Sequence, residues 1–251
     1  MDVRLDEKIM LVTGASLGIG RAIAALAAES GARVAANYYS SESEAESLVN
    51  EVEGKGGQCI AIKADVSQEG DVARMFEEVK NRFGEYPDIL VNNAGSMIKR
   101  SPISEMDVST WDRVMEVNLR SVFLCSREAL KSMIPKKDGV IINVSSIAAY
   151  TGGGPGSGAY AATKGAMNTM TVGMAKEVAP HNIRVVGVGP GVIDTPFHEK
   201  FTTKERREKF EDMIPLGRVG VPEDVAPLVI LLASDYASFA TGHCFYVTGG
   251  M

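Results

Sequence analysis

Tyr160 and Lys164 stand four residues apart in a stretch that reads as a helix from about Gly158 to Val178, so the two side chains fall on one face. A phenol has a reference pKa of about 10 and exchanges its proton poorly near neutrality. An ammonium beside it favours the phenolate and lowers that value. Such a pair could hand a proton to a carbonyl oxygen as hydride reaches the carbon, while the developing negative charge is stabilised. Taken alone, Tyr-x-x-x-Lys also fits the solvated face of any amphipathic helix.

A second stretch carries different chemistry. TGASLGIG at 13–20 follows the apolar run KIMLVTG and opens a helical pattern, RAIAALAAESG. Gly14 permits a tight turn there, and Gly18 and Gly20 let backbone approach a pyrophosphate and helix approach sheet. The free N–H groups and dipole of the helix N-terminus then favour phosphate. The spacing is G-x-x-x-G-x-G, a departure from the commoner G-x-G-x-x-G. The glycine-rich run TGGGPGSG at 151–158 follows another strand. Its expected use is to cross the floor of a pocket with little side-chain bulk.

The elements that must hold these groups follow from periodicity. Apolar runs at 8–14, 32–38, 58–66, 87–95, 139–146, 182–191 and 244–250 read as strands. Helical patterns lie between them at 21–31, 41–57, 69–84, 109–134 (one long helix or a pair), 158–178, 204–214 and 222–234. Strands that alternate with crossover helices must be parallel neighbours. The expectation is one α/β domain over 1–251, a doubly wound parallel seven-stranded sheet with helices on both faces. The segment at about 192–215 lengthens one connection at the carboxyl end of the sheet, the usual place for a substrate lid.

Composition narrows the partners. The chain has 251 residues, 45% of them hydrophobic and 23% charged, with a formal net charge of −6. This balance argues against nucleic acid or an anionic membrane as the main partner. No apolar run approaches the ~18 residues of a membrane span, and the N-terminus lacks a signal-peptide core. Cys59, Cys125 and Cys244 are odd in number and far apart, and His181, His198 and His243 show no ligand spacing. No metal or disulfide framework is expected, and a cytoplasmic location is.

TGASLGIG, NNAG at 92–95, Asn118 in VNL, Ser146 in NVSS, the Tyr160/Lys164 pair and PG at 190–191 occur in one order. In this the chain resembles the short-chain dehydrogenases/reductases over essentially its full length. The resemblance implies a Rossmann-type fold, NAD or NADP as coenzyme, and interconversion of a carbonyl and an alcohol. It makes Tyr160 the general acid/base, with Lys164 adjusting it and binding the nicotinamide ribose. Ser146 resembles the serine that hydrogen-bonds the substrate oxygen; Ser145 is its rival, and Ser146 has the family's spacing from the tyrosine. Asn118 resembles the asparagine that holds a proton-relay water. By the same resemblance Gly14, Ser16, Leu17, Gly18, Ile19 and Gly20 hold the pyrophosphate region, and Asp65 and Val66 contact adenine. Asn93, Ala94 and Gly95 line the adenine ribose, and Pro190, Gly191, Ile193 and Thr195 the nicotinamide end. A homotetramer built through 109–134 and 158–178 is implied, with Met167, Met170, Met174 and Val178 either core or interface.

At the end of the second strand, Asn37, Tyr38, Tyr39 and Ser40 are uncharged hydrogen-bonding types that repel no 2′-phosphate. Leu17 supplies no cation for one either. NADP is the preferred coenzyme, NAD the alternative. For the substrate, Lys99, Arg100 and His198 at the pocket mouth would suit a carboxylate, with Gly153 on the pocket floor; their other reading is solvated surface charge. TGGGPGSGAY and VIDTPFHEK resemble reductases of the alginate-derived keto-uronate 4-deoxy-5-hexoseulose uronate. That is the preferred substrate, against 3-oxoacyl thioesters or sugars and polyols. A catalytically silent dinucleotide sensor is the reading of another class.

Overall fold

The computed structural model describes residues 3–202 and 210–251. The apolar runs become short strands because their last residues leave the sheet as loops. These strands are β1 (Ile9–Val12), β2 (Arg33–Tyr38), β3 (Gln58–Lys63), β4 (Ile89–Asn92), β5 (Gly139–Val144), β6 (Ile183–Pro190) and β7 (Cys244–Val247). They form one sheet in the order β3-β2-β1-β4-β5-β6-β7, every neighbouring pair parallel. This is the expected doubly wound, seven-stranded arrangement. The order reverses between β1 and β4, where the carboxyl ends of two strands open a crevice.

The run IMLV is apolar throughout because β1 is covered on both faces. Met10 and Val12 join Ile23, Ala27, Leu48, Val225 and Val229 in one core. Ile9 and Leu11 face the other way, into a core with Met75, Phe76, Leu124 and Met133. The first core belongs to α1 (Gly18–Glu29), α2 (Glu42–Gly54) and a helix over Pro222–Ala233; the second to α3 (Glu69–Phe83) and the helices that follow β4.

The helical pattern at 109–134 resolves into α4 (Val108–Met115), a π-turn over Glu116–Arg120 and α5 (Ser121–Lys136). The π-turn puts an extra residue into the helix at Asn118, a distortion common at functional sites. Two short helices were not expected: α6 (Ala148–Thr151), and α8 (Pro196–Phe201) in the excursion after β6. The long helix α7 (Gly158–Val178) matches its expected bounds. Of the helix expected at 204–214, Phe210–Met213 is helical and forms α9. The remainder falls at 203–209, outside the described residues. The Pro222–Ala233 helix is α10. Met167 and Val178 are core residues, buried under the sheet, while Met170 and Met174 are half-buried.

No helix among the described residues is long and apolar enough to cross a membrane, and no cluster of their side chains could hold a metal ion. All three cysteines are free thiols.

Candidate active site

The loops at the carboxyl ends of β1, β2, β3, β4, β5 and β6 surround a cleft of about 750 Å³. A smaller hollow of about 500 Å³ at the opposite end of the sheet is lined by none of the expected site residues. The large cleft begins at the glycine turn. Gly14 has φ +62° and Gly18 φ +55°, left-handed values that favour glycine. A Cβ on Gly14 would stand 3.0 Å from Ala94 Cα, and one on Gly20 would stand 2.4 Å from both Asn93 Nδ2 and the Gly14 carbonyl oxygen. The turn is therefore packed directly on the loop after β4. Gly14, Ser16, Leu17, Gly18 and Ile19 line the cleft at the N-terminus of α1. Gly20 lies beneath it, as the helix-packing glycine.

Thr13 joins the two loops and was missed in the sequence because threonine at a strand end carries no signal of its own. Its hydroxyl accepts from the backbone N–H groups of Asn93 and Ala94, both at 3.0 Å, and donates to Val91 O. Asn93 Nδ2 returns the contact to the carbonyls of Thr13 and Gly14. Thr13→Val keeps the shape and strands two backbone donors. We expect it to cost roughly 1–3 kcal/mol of stability, read as a lower Tm, together with weaker coenzyme binding by titration.

At the adenosine end the structure corrects two residues. Tyr38 is buried and donates to Glu42 Oε1 at 3.0 Å; it does not line the cleft, because alternation along β2 turns it to the other side. Asn37 borders the cleft, but its side chain is turned inward. Oδ1 accepts from Gly14 N, and Nδ2 donates to the carbonyls of Ile62 and Ala64. It holds the glycine turn against β3 and has no donor left for a ribose. Tyr39 and Ser40 do line the cleft, with Ser41 beside them. Asp65 and Val66 line it too, and Arg113, unforeseen in the sequence, pairs with Asp65 at 3.2 Å.

The central group is brought together. Ser146, Tyr160 and Lys164 share the cleft with Asn93, Ala94 and Gly95 on one side and Pro190, Gly191, Ile193 and Thr195 on the other. Ser146 and Ser145 are separated by their surroundings. Ser145 is buried with its hydroxyl toward Lys164 O, whereas Ser146 lies in the cleft and hydrogen-bonds Tyr160. Lys164 is 2% exposed; Nζ donates to Val144 O at 2.7 Å and stands 5.7 Å from the centre of the Tyr160 ring. Burial pulls the Lys164 ammonium down to about 8, and burial pushes the Tyr160 hydroxyl up to about 12 against the opposing pull of Ser146. The expected lowering of the tyrosine by the ammonium is thus not the outcome here: removal from water dominates, and the opposing pull comes from Ser146.

Asn118 is fully buried in the π-turn. Nδ2 donates to Ser96 O and Val114 O, and Oδ1 accepts from Ser96 N. Its side chain thereby fixes the loop after β4. A Cβ on Gly95 would stand 2.8 Å from Asn118 Oδ1 and 3.5 Å from Lys164 Nζ, so only a glycine lets these two side chains close around that loop.

The substrate end differs most from expectation. Lys99 is exposed and outside the cleft lining. Arg100 and His198 line it, with Gly153, yet Arg100 donates to two backbone carbonyls. His198 packs edge-on against Phe197 and Phe210, with Nδ1 beside Thr202 Oγ1. Lys200 lines this end too, but most of the side chains there are apolar: Met97, Ile147, Phe197, Phe201, Phe210 and Met213. Phe197 lies 5.5 Å from the Tyr160 ring and Phe201 5.1 Å from Phe197. These aromatics escaped notice because α8 carries no periodic pattern.

Known proteins place this geometry. A family model described as enoyl-(acyl carrier protein) reductase matches residues 14–251. The 3-oxoacyl-[acyl-carrier-protein] reductase FabG of Staphylococcus aureus is 41% identical over 244 residues, covering 97% of this chain and 98% of that protein. Among solved structures, a 7α-hydroxysteroid dehydrogenase complexed with NADH and 7-oxo glycochenodeoxycholic acid superposes with a TM-score of 0.94 at 32% identity, covering 99% of this chain and 96% of the other. A short-chain type dehydrogenase/reductase from Mycobacterium marinum gives 0.93 at 33% identity, covering 98% and 96%. With its glycine turn, its Ser146–Tyr160–Lys164 cluster and full-length relatives of this kind, the chain belongs to the short-chain dehydrogenase/reductase family of oxidoreductases.

Proposed function

We propose that the protein reduces the keto group of a 3-oxoacyl thioester to the alcohol, using NADPH in preference to NADH. The observation that carries this reading is the joining of Ser146, Tyr160 and Lys164 to an apolar pocket wall within one cleft. The coenzyme fits by its shape: the left-handed Gly14 and Gly18 line the cleft without side chains, and the α1 N-terminus faces it. When bound, a reduced nicotinamide supplies hydride.

The chain's own residues do the rest. Ser146 and Tyr160 both hydrogen-bond the substrate oxygen and orient the carbonyl. The Tyr160 hydroxyl gives its proton to that oxygen as negative charge builds on it. Held near 12 by burial, that hydroxyl is fully protonated at neutral pH, the form a reduction consumes. Lys164, charged below about 8, stabilises the phenolate left behind and binds the nicotinamide ribose. Gly95 and Asn118 hold the loop that closes this end.

The keto-uronate expectation came from the TGGGPGSGAY and VIDTPFHEK stretches, with basic residues at the pocket mouth to match; Lys99 lies outside the cleft lining, and Arg100, though in it, donates to the carbonyls of Phe201 and Pro155. The apolar wall and the FabG relative favour a 3-oxoacyl chain. Tyr39, Ser40 and Ser41 carry no acid to repel a 2′-phosphate, which supports NADPH. The same reading carries a cytoplasmic homotetramer and a lid at 192–215. The test is a steady-state panel with both coenzymes against acetoacetyl thioester and a keto-uronate. Turnover of the thioester with a lower KM for NADPH is expected; turnover of the keto-uronate alone overturns the substrate, and a marked preference for NADH overturns the coenzyme.

A further inference from the structure

Three segments meet at the substrate end of the cleft: the loop after β4, the glycine-rich loop before α7, and α8 with the residue that ends it. One side chain touches all three. Arg100 belongs to the first. Its Nε donates to Phe201 O at 2.9 Å, at the last residue of α8, and its Nη1 donates to Pro155 O at 2.7 Å, in the glycine-rich loop. The neighbouring Ser101 N donates to Gly156 O at 3.0 Å. A charged donor at the carbonyl end of a helix is favourably placed.

The glycine-rich loop is shaped to receive this arginine. Gly156 has φ +76°, and a Cβ there would stand 2.8 Å from Arg100 Cγ and 3.1 Å from Ser101 N. Gly153 has φ +71°, with a Cβ position 2.5 Å from Ser157 Oγ. The β4 side is shaped as well: Ile98 is held at φ +61°, a conformation that costs a β-branched residue energy and persists only where its surroundings enforce it. Ser96 Oγ accepts from Ile98 N, and Lys99 N donates to Met97 O. This tight double turn brings Arg100 inward while Lys99 stays outside.

We propose that Arg100 is a specificity-determining positioning residue, a latch that ties α8 to the glycine-rich loop. It thereby fixes Phe201 over the far end of the cleft, beyond Phe197, which lies against the Tyr160 ring. The latch rests on the reading of that end as the substrate pocket. Its consequence is selective: substrates long enough to pass Phe197 and reach Phe201 depend on it, and short ones that stop beside Tyr160 do not. Coenzyme binding does not depend on it, since the glycine turn lies at the other end.

The test uses Arg100→Ala and Arg100→Lys, both first checked by circular dichroism for an unchanged spectrum and Tm. Three readouts follow: KM and kcat with acetoacetyl and 3-oxododecanoyl thioesters, coenzyme Kd, and amide hydrogen exchange at 152–158 and 196–202. Arg100→Ala is expected to raise KM for the long thioester by on the order of tenfold or more, the loss of two bonds from a charged donor. The short thioester and the coenzyme Kd should stay within about twofold, and amide protection should fall in both segments together. Arg100→Lys should recover part of each effect. Equal losses on both thioesters, or protection unchanged in either segment, overturn the latch. A parent inactive on both thioesters refutes the substrate reading instead, and the exchange measurement still decides the latch. A variant that loses its fold is replaced by Arg100→Lys alone, for which the same outcomes hold at smaller size.

Discussion

Tyr160→Phe is expected to lower kcat for carbonyl reduction by roughly 10²–10⁴-fold while coenzyme Kd changes by less than about twofold. The substitution deletes one hydroxyl and little else. The ring keeps its contact with Phe197 at 5.5 Å and its place 5.7 Å from Lys164 Nζ, so neither packing nor the cleft is altered. Ser146 remains to hold a carbonyl oxygen, which preserves binding without supplying the proton. The loss should therefore appear in kcat and kcat/KM alike, the pattern of an interaction made only in the transition state. Steady-state kinetics and a fluorescence titration of NADPH check it. A variant as active as the parent removes Tyr160 from the mechanism.

The second large effect concerns Lys164. Its side chain is almost fully buried and donates to a single carbonyl, Val144 O. Its pKa is depressed from 10.5 to about 8 by burial. Between these values the unfolded chain binds more protons than the folded one, so stability rises with pH across that window and this term is least favourable below about 8. Lys164→Met fills the same space without the charge. It is expected to reduce turnover by on the order of 10²-fold or more and to keep or raise Tm at pH 7. The stability–activity conflict of a functional site would then be visible in one residue. In the parent, kcat/KM for reduction should decline as pH rises through about 8, because the ammonium is lost there while Tyr160 keeps its proton. A flat profile across that range contradicts the assignment of Lys164.

What the sequence disclosed, and what it withheld, follows from the range of the forces involved. The glycine turn was legible because positive φ and backbone approach demand glycine at Gly14 and Gly18, whatever surrounds them. The Tyr160/Lys164 pair was legible because α7 alone places them on one face. Burial of the pair was not, and it reversed the expected shift of Tyr160. Asn37 reads as a ribose donor in a string of polar residues; only the fold shows its amide turned back to Gly14, Ile62 and Ala64. Arg100 and His198 read as anion receptors for the same reason, since the carbonyls and rings that engage them come from distant segments. Phe197 and Phe201 sit on a six-residue helix with no periodicity to announce it.

Hydride transfer to a carbonyl whose oxygen Tyr160 protonates is the proposed chemistry of this cleft. The most direct measurement is a single turnover with NADPH deuterated at the nicotinamide C4 and a 3-oxoacyl thioester, the product read by mass spectrometry. Deuterium on the carbinol carbon, with its formation slowed by roughly 10²–10⁴-fold in Tyr160→Phe, is the predicted result. Tight NADPH binding with no deuterium passed to this or any other carbonyl offered would contradict it, and would instead support a dinucleotide sensor built on the same fold.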